Sequence, residues 1–340
     1  FLSFIVVVVG GCQGPPLSPD LALAEDKSSQ PSSKRLERDW TMKTLGGRQF
    51  WGDVTWFHGW RIQQNVLTGH HRLLDKDDYR HASGTLAACQ KKLAAVTKKL
   101  KLPPMKGKAV IVVHGIFRSS KSFSKMQTRL EKEGYTVVGF DYPSSRVDVA
   151  KSAKYLERVV TSLKGVEEIH FVAHSLGGLI VRQYRGGHKD KRVKRLVMLG
   201  VPNNGAQLAD RFRRVGLYRA IFGPAGQQML TNKSDKTGLI AKLPTPDFEF
   251  AVIAGSRGNM KGYNPLIPGD DDGTVSVAGT RLPGAADFLA VPALHSFLVS
   301  NADVIDATVR FLKSGALRAD GKPHPIPKAK RKSKPKPPAR

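Results

Sequence analysis

The chain has 340 residues, of which 55 are Lys or Arg and 28 are Asp or Glu, giving a formal charge of +27 and an apolar fraction of 40%. That apolar share excludes a wholly disordered chain, and the length admits one large α/β domain with terminal additions. Two cysteines exclude a disulfide framework; the basic excess points to anionic surfaces such as phospholipid headgroups, cell-wall polymer or nucleic acid, with general solubility an equal explanation.

Residues 1–9 are almost wholly apolar, and the chain then breaks at Gly10-Gly11-Cys12. Nine residues are too few to span a bilayer and fit the hydrophobic region of a signal peptide. No Met and no basic stretch precede them, so further upstream residues are expected. Val9-Gly10-Gly11-Cys12 resembles the bacterial lipobox, which implies export, lipidation of Cys12 and anchoring in the cell envelope. If that cysteine is incidental, the signal implies secretion. Residues 13–39 then read as a polar tether.

Residues 40–104 hold all four tryptophans, Trp40, Trp51, Trp56 and Trp60, expected to pack against the main domain. Residues 56–74 read as one or two extended stretches broken near Thr68-Gly69. An amphipathic helix is predicted over 84–101, ended by Pro103-Pro104. Its stripe of Leu86, Cys89, Leu93, Val96 and Leu100 turns Cys89 inward as an inert thiol.

From Lys108 apolar runs alternate with helix-period segments. Strands are predicted at 109–113, 135–140, 169–173, 193–199, 248–254 and 288–291, and helices at 123–132, 149–163, 179–184 and 302–312. Continuous β-branched runs suit strands buried on both faces, and their alternation with helices implies a mainly parallel sheet covered on both sides. Residues 205–243 interrupt the rhythm with Leu208, Phe212 and Phe222 among Arg211, Arg213, Arg214 and Arg219. After Gly315 the chain turns Lys- and Pro-rich and is expected to be disordered; 322–340 carries eight basic residues and no acid.

The segment that carries chemistry is Ile169-His170-Phe171-Val172-Ala173-His174-Ser175-Leu176-Gly177-Gly178. An apolar strand ends in a serine between small residues and a helix starts at once, a turn that strains the serine and lifts its hydroxyl above the sheet. This resembles the nucleophile elbow of α/β-hydrolases, with Ala173 in the first glycine position as in some bacterial lipases. The resemblance covers about residues 109–312 and implies that fold, with residues 205–243 as a helical cap. It also implies a Ser-His-Asp triad in the chain order serine, acid, histidine.

Of His188, His295 and His324, which follow Ser175, only His295 stands between the last strand and the last helix, where the fold's base sits. The loop Asp270-Asp271-Asp272-Gly273-Thr274-Val275 looks like the Asp-Gly-x-Val pattern of lipases, which makes Asp272 the acid and Asp271 the reserve. A calcium loop is the weaker reading, because the spaced ligands of an EF-hand are missing. His114-Gly115-Ile116 looks like a lipase oxyanion motif, so the N–H groups of Ile116 and Leu176 are the expected donors and His114 braces the loop. Val201-Pro202-Asn203-Asn204-Gly205 resembles the lipase turn that leads into the cap.

Resemblance to lipases implies hydrolysis of a carboxylic ester, lipidic esters included, through an acyl-enzyme without metal or organic cofactor. Acyl transfer or amide cleavage by the same triad is the alternative within enzymes. A non-catalytic envelope lipoprotein binding anionic lipid or cell-wall polymer is the alternative outside them. An anionic membrane or envelope surface is the expected partner. Nucleic acid is suggested by charge alone and is not an expected partner, since no recognition motif is present and the export signal stands against it. The oligomeric state is open.

Overall fold

The computed structural model describes residues 42–44, 48–212, 214, 216–231 and 238–328. Cys12, the tether, Trp40 and residues 329–340 of the tail lie outside the described residues.

The central layer is a six-stranded sheet in the order β11-β10-β9-β8-β6-β7. Its members are β6 (Lys108–Val113), β7 (Thr136–Phe140), β8 (Glu168–His174), β9 (Val193–Leu199), β10 (Glu249–Ser256) and β11 (Asp287–Pro292). Every neighbouring pair is parallel, so all the strand C-termini emerge at one end, where sites form in such sheets.

Alternate residues of one strand enter opposite cores. In β6, Ala109, Ile111 and Val113 join one cluster, and Val110 and Val112 join the other. Helices α3 (Val149–Ser162) and α4 (Leu176–Gly187) cover the first face. Helices α2 (Ser124–Lys132) and α8 (Ala302–Ser314) cover the second. The start signals are local: the Asp148 carboxylate accepts from Lys151 N at 2.6 Å and the Asn301 side chain from Val304 N at 3.1 Å, each satisfying an otherwise orphaned amide. A mixed α/β domain with a parallel sheet flanked by helices fits the α/β-hydrolase fold.

The region before β6 differs from the expectation of one or two extended stretches. It forms a five-stranded antiparallel sheet, β1-β5-β4-β3-β2, with β1 (Met42–Lys43), β2 (Trp51–Phe57), β3 (Trp60–Asn65), β4 (His71–Leu74) and β5 (Tyr79–Gly84). The strands are short and half-polar because one face carries a buried ionic layer described below, which hides their alternation. Val54, Trp56, Ile62 and Leu73 of this sheet complete the core over α3. Helix α1 (Leu86–Lys99) buries Cys89, and burial pushes that thiol up to about 11, consistent with an inert side chain, while Leu100 at the end of the expected stripe is exposed.

The C-terminal expectation also needs correction for the residues described. Beyond Gly315 the chain packs against the start of β11 and the loop before it. The buried Asp287 carboxylate accepts from Leu317 N at 2.7 Å, His324 N at 2.8 Å and Arg318 Nη1 at 2.7 Å. Ile326 is buried and pairs its backbone with Gly284 and Ala285. Lys and Pro content misled here because one buried carboxylate outweighs composition.

His170, near the start of β8, contributes to a cavity of about 640 Å³ at the end of the sheet away from Ser175. Burial holds its imidazole down to about 4, against the opposing pull of the Glu168 carboxylate 3.6 Å from Nε2. A base whose folded pKa lies below its unfolded 6.5 must lose its proton to fold. Its contribution is therefore intact above pH 6.5 and is lost as pH falls from 6.5 to about 4. Denaturant unfolding at pH 7 and pH 4.5 should show the wild type losing about 2–3 kcal/mol more than His170→Leu. Equal losses would place the acid sensitivity elsewhere.

Candidate active site

Ser175 joins β8 to α4 with φ 53° and ψ −124°, a conformation that costs a non-glycine residue on the order of 1–3 kcal/mol. The surroundings hold it there. Ser175 N donates to Leu199 O at 2.9 Å, and Ser175 O accepts from Gly178 N at 3.1 Å. Leu176 opens the helix, so its N–H has no carbonyl a turn earlier to bond.

His295 follows β11 and begins a short 3₁₀ turn, His295–Ser300. Its backbone N–H donates to Asp272 O at 2.8 Å, and its Nδ1–H donates to Asp272 Oδ2 at 2.7 Å. The other carboxylate oxygen, Oδ1, accepts from Thr274 N at 3.0 Å and Val275 N at 2.7 Å. Asp272 is buried, and three bonds to its carboxylate set the orientation of that group. With the proton on Nδ1, Nε2 keeps a lone pair and can accept a proton.

The neighbouring aspartates have other partners. Asp270 accepts from Ser256 Oγ at 2.5 Å and Arg257 N at 2.8 Å. Asp271 accepts from Gly273 N at 2.6 Å and Asn264 N at 3.1 Å, and it is buried. His188 pairs with Glu157, and His324 lies on the C-terminal segment beside Asp287. The structure thus brings Asp272 to His295 and leaves the other candidates apart.

Serine and dyad share one end of the sheet. Leu199 O accepts from Ser175 N, and Gly200, next in the chain, is packed against the dyad so closely that a Cβ there would lie 3.1 Å from His295 Nδ1 and 3.2 Å from Asp272 Oδ2. Among the described residues no direct hydrogen bond joins the Ser175 hydroxyl to His295. Such contacts commonly tighten only around a bound substrate. His174 links the two sides, with Nε2 3.0 Å from His295 O and its ring 4.7 Å from the His295 ring. Burial, then the neighbouring His295, hold His174 well below the usual imidazole range. It is therefore neutral and donates to that carbonyl.

The loop after β6 lies on Ser175: a Cβ on Gly115 would stand 3.1 Å from Ser175 Cβ. The N–H of Ile116 has no partner among the described residues. His114 is buried, stacked on Tyr142 at 4.2 Å, with Nδ1 2.7 Å from Gly115 O. It is placed to brace the loop.

Sequence reasoning missed the polar groups behind this loop. Asp141 and Ser144 follow β7, and Gln49, Asp53 and Arg61 belong to the antiparallel region. Polar residues just past a buried strand's C-terminus, as at Asp141, were the available signal. Asp53 is raised to about 7 by burial first, with Arg61 opposing and Asp141 adding. Burial also works against ionised Asp141, yet Arg61, His114 and Ser120 hold its carboxyl below the usual range.

Among the described residues, 205–243 carries α5 (Gln207–Phe212), α6 (Gly216–Gln227, broken at Gly223) and α7 (Leu239–Lys242). Phe222 of α6 meets Phe117 of the loop at 5.2 Å. Arg213 and the side chain of Arg219 lie outside the described residues. Exposed apolar side chains surround the same end: Phe117, Met260, Tyr263, Leu266, Leu294 and Phe297. Arg118 ties two of these loops by donating to Ser296 Oγ at 2.8 Å.

Residues 78–259, just over half of the chain, match the model of a family described as "Domain of unknown function (DUF7379)". No curated protein matches the sequence. A lipase of Bacillus licheniformis in its propeptide form is 21% identical with a TM-score of 0.46, over 56% of this chain and 47% of that one. A phospholipase of Legionella pneumophila is 20% identical with a TM-score of 0.42, over 51% and 45%. A thermophilic esterase from Thermogutta terrifontis is 16% identical with a TM-score of 0.41, over 61% and 90%. The chain spans about half the length of the first two. Similarity at this level carries no activity across.

Proposed function

The chain belongs to the DUF7379 family, and from the geometry of its site we propose that it hydrolyses carboxylic esters through an acyl-enzyme. The observation that carries this reading is the buried Asp272–His295 pair, 2.7 Å apart, at the end of the sheet where the strained Ser175 leaves β8. In this reading Ser175 Oγ attacks the ester carbonyl as His295 Nε2 takes its proton. Asp272 holds the Nδ1–H tautomer and stabilises the imidazolium. The N–H groups of Ile116 and Leu176 receive the oxyanion, whose charge exists only beyond the ground state. His295 returns the proton to the leaving alcohol, and water, activated by the same imidazole, releases the acid. A fluorophosphonate and a chain-length series of p-nitrophenyl esters test it: one adduct on the chain and measurable turnover are expected, and a protein showing neither sinks the reading.

The exposed apolar ring supports a lipid surface as the setting, with residues 205–243 as a cap over the acyl pocket and lipidated Cys12 as the anchor. Arg118, Arg257 and Lys261 stand in the same loops as the apolar groups, so insertion and attraction to anionic headgroups would act together. The Cys12→Ser chain should bind vesicles rich in phosphatidylglycerol at low salt and leave them as salt screens the attraction over a Debye length of about 10 Å at 0.1 M. Phe297→Ser with Met260→Ser should lower turnover of vesicle-borne esters several-fold and spare a soluble ester. Equal losses on both substrates would remove the lipid surface from the account.

A further inference from the structure

The antiparallel sheet does more than cover α3. Two polar chains run from it to the loop 114–118. In the first, the Gln49 side-chain oxygen, just ahead of β2, accepts from Ser144 Oγ at 3.1 Å, Ser145 N at 3.1 Å and Ser145 Oγ at 2.9 Å. Ser144 Oγ in turn accepts from Phe117 N at 3.0 Å. Phe117 has φ 59°, a left-handed conformation that a bulky residue keeps only under external hold.

In the second chain, Asp53 Oδ2 accepts from Asp141 N at 2.7 Å, and Arg61 Nη1 donates to Asp141 Oδ2 at 2.7 Å. The other oxygen of Asp141 accepts from Ser120 N at 2.6 Å and lies 3.8 Å from His114 Nε2. Tyr142 stacks on His114 and donates its hydroxyl to His114 O at 2.6 Å. Gly115 O can only accept, so His114 Nδ1 carries a proton and donates it to that oxygen at 2.7 Å. Arg118 N grips the same oxygen at 3.2 Å.

Gly115 C=O and Ile116 N–H belong to one planar trans peptide and point in opposite directions. Two donors holding that oxygen on one side therefore aim the Ile116 N–H to the other.

We infer that the antiparallel sheet is the positioning element of the oxyanion donor, with Gln49 acting through Ser144 and Phe117, and Asp53 and Arg61 acting through Asp141 and His114. This rests on the ester-hydrolase reading of the same site. Gln49, in the turn ahead of β2, and Asp53 and Arg61 in the sheet are neither triad members nor oxyanion donors. They hold the Ile116 peptide in place before charge develops, which is when preorganised donors are effective.

The test uses the full chain and the Gln49–Ser144 link, because Gln49 lies at the edge of the sheet and its loss spares the buried Arg61 layer. Gln49→Met removes the shared acceptor at similar length, Gln49→Glu restores one, and Ser144→Ala cuts the link from the other side. Amide hydrogen exchange at Phe117 should quicken about tenfold or more in Gln49→Met and Ser144→Ala, and stay near wild type in Gln49→Glu. In ester hydrolysis kcat should fall about tenfold with KM within about twofold, and the two losses should not add in the double variant. Should Gln49→Met fail to fold, Ser144→Ala alone carries both readings. Unchanged exchange at Phe117, a loss confined to KM, or additive losses would overturn the inference. A wild type without ester turnover would overturn the functional reading, and the exchange arm would still decide whether the sheet holds the loop.

Discussion

Ser175→Ala is expected to lower kcat on p-nitrophenyl esters by about 10⁴- to 10⁶-fold and to abolish fluorophosphonate labelling. The reason is chemical: with Oγ gone, His295 has no hydroxyl to activate and no acyl-enzyme forms. Alanine keeps the Cβ and accepts the same backbone, which Leu199 O and Gly178 N hold from either side. The melting temperature should therefore stay within a few degrees of wild type, so lost activity cannot be ascribed to lost fold. A variant that retains labelling would move the nucleophile elsewhere.

Asp272→Asn should cost about 10³- to 10⁴-fold in kcat, or roughly 4–5 kcal/mol of transition-state stabilisation. Thr274 N and Val275 N donate to Oδ1 and so keep an oxygen at that position in the variant. The amide nitrogen then faces His295 Nδ1, which must accept, and the imidazole proton moves to Nε2. A base protonated on the side that faces the serine cannot take its proton. Asp271→Asn gives the contrasting result. The amide keeps an oxygen for Gly273 N and Asn264 N and gives up only the second contact of Asn264 N, with Oδ2 at 3.3 Å, so stability should fall modestly and kcat should stay within about tenfold. Equal kinetic losses at the two positions would move the acid role to Asp271 or divide it between them.

Much of the α/β region was legible because its signals are local. Continuous apolar runs predicted all six parallel strands near their observed positions, and the helices between them followed from 3.6-residue periodicity. The loop 270–272 was only partly legible. Three adjacent aspartates are equivalent in composition, and they differ through the amides that the folded loop turns toward each. Asp270 answers Arg257, Asp271 answers Asn264, and Asp272 answers Val275 and His295.

The sequence by itself determined the alternation of strand and helix, the serine at a strand-to-helix turn, and a chain order that leaves His295 between the last strand and the last helix. Those features depend on residues within one or two turns of one another, so neighbouring positions encode them. The tertiary structure decided the rest. It made an antiparallel sheet of five strands between Met42 and Gly84, bound Leu317, Arg318 and His324 to Asp287, and led Gln49 and Arg61 toward the loop over Ser175. Gln49 meets Ser144 across 95 positions and Arg61 meets Asp141 across 80. Side chains that far apart leave no periodic trace. Their pairing is set when the strands dock and buried polar groups must find partners, which is a property of the assembled core.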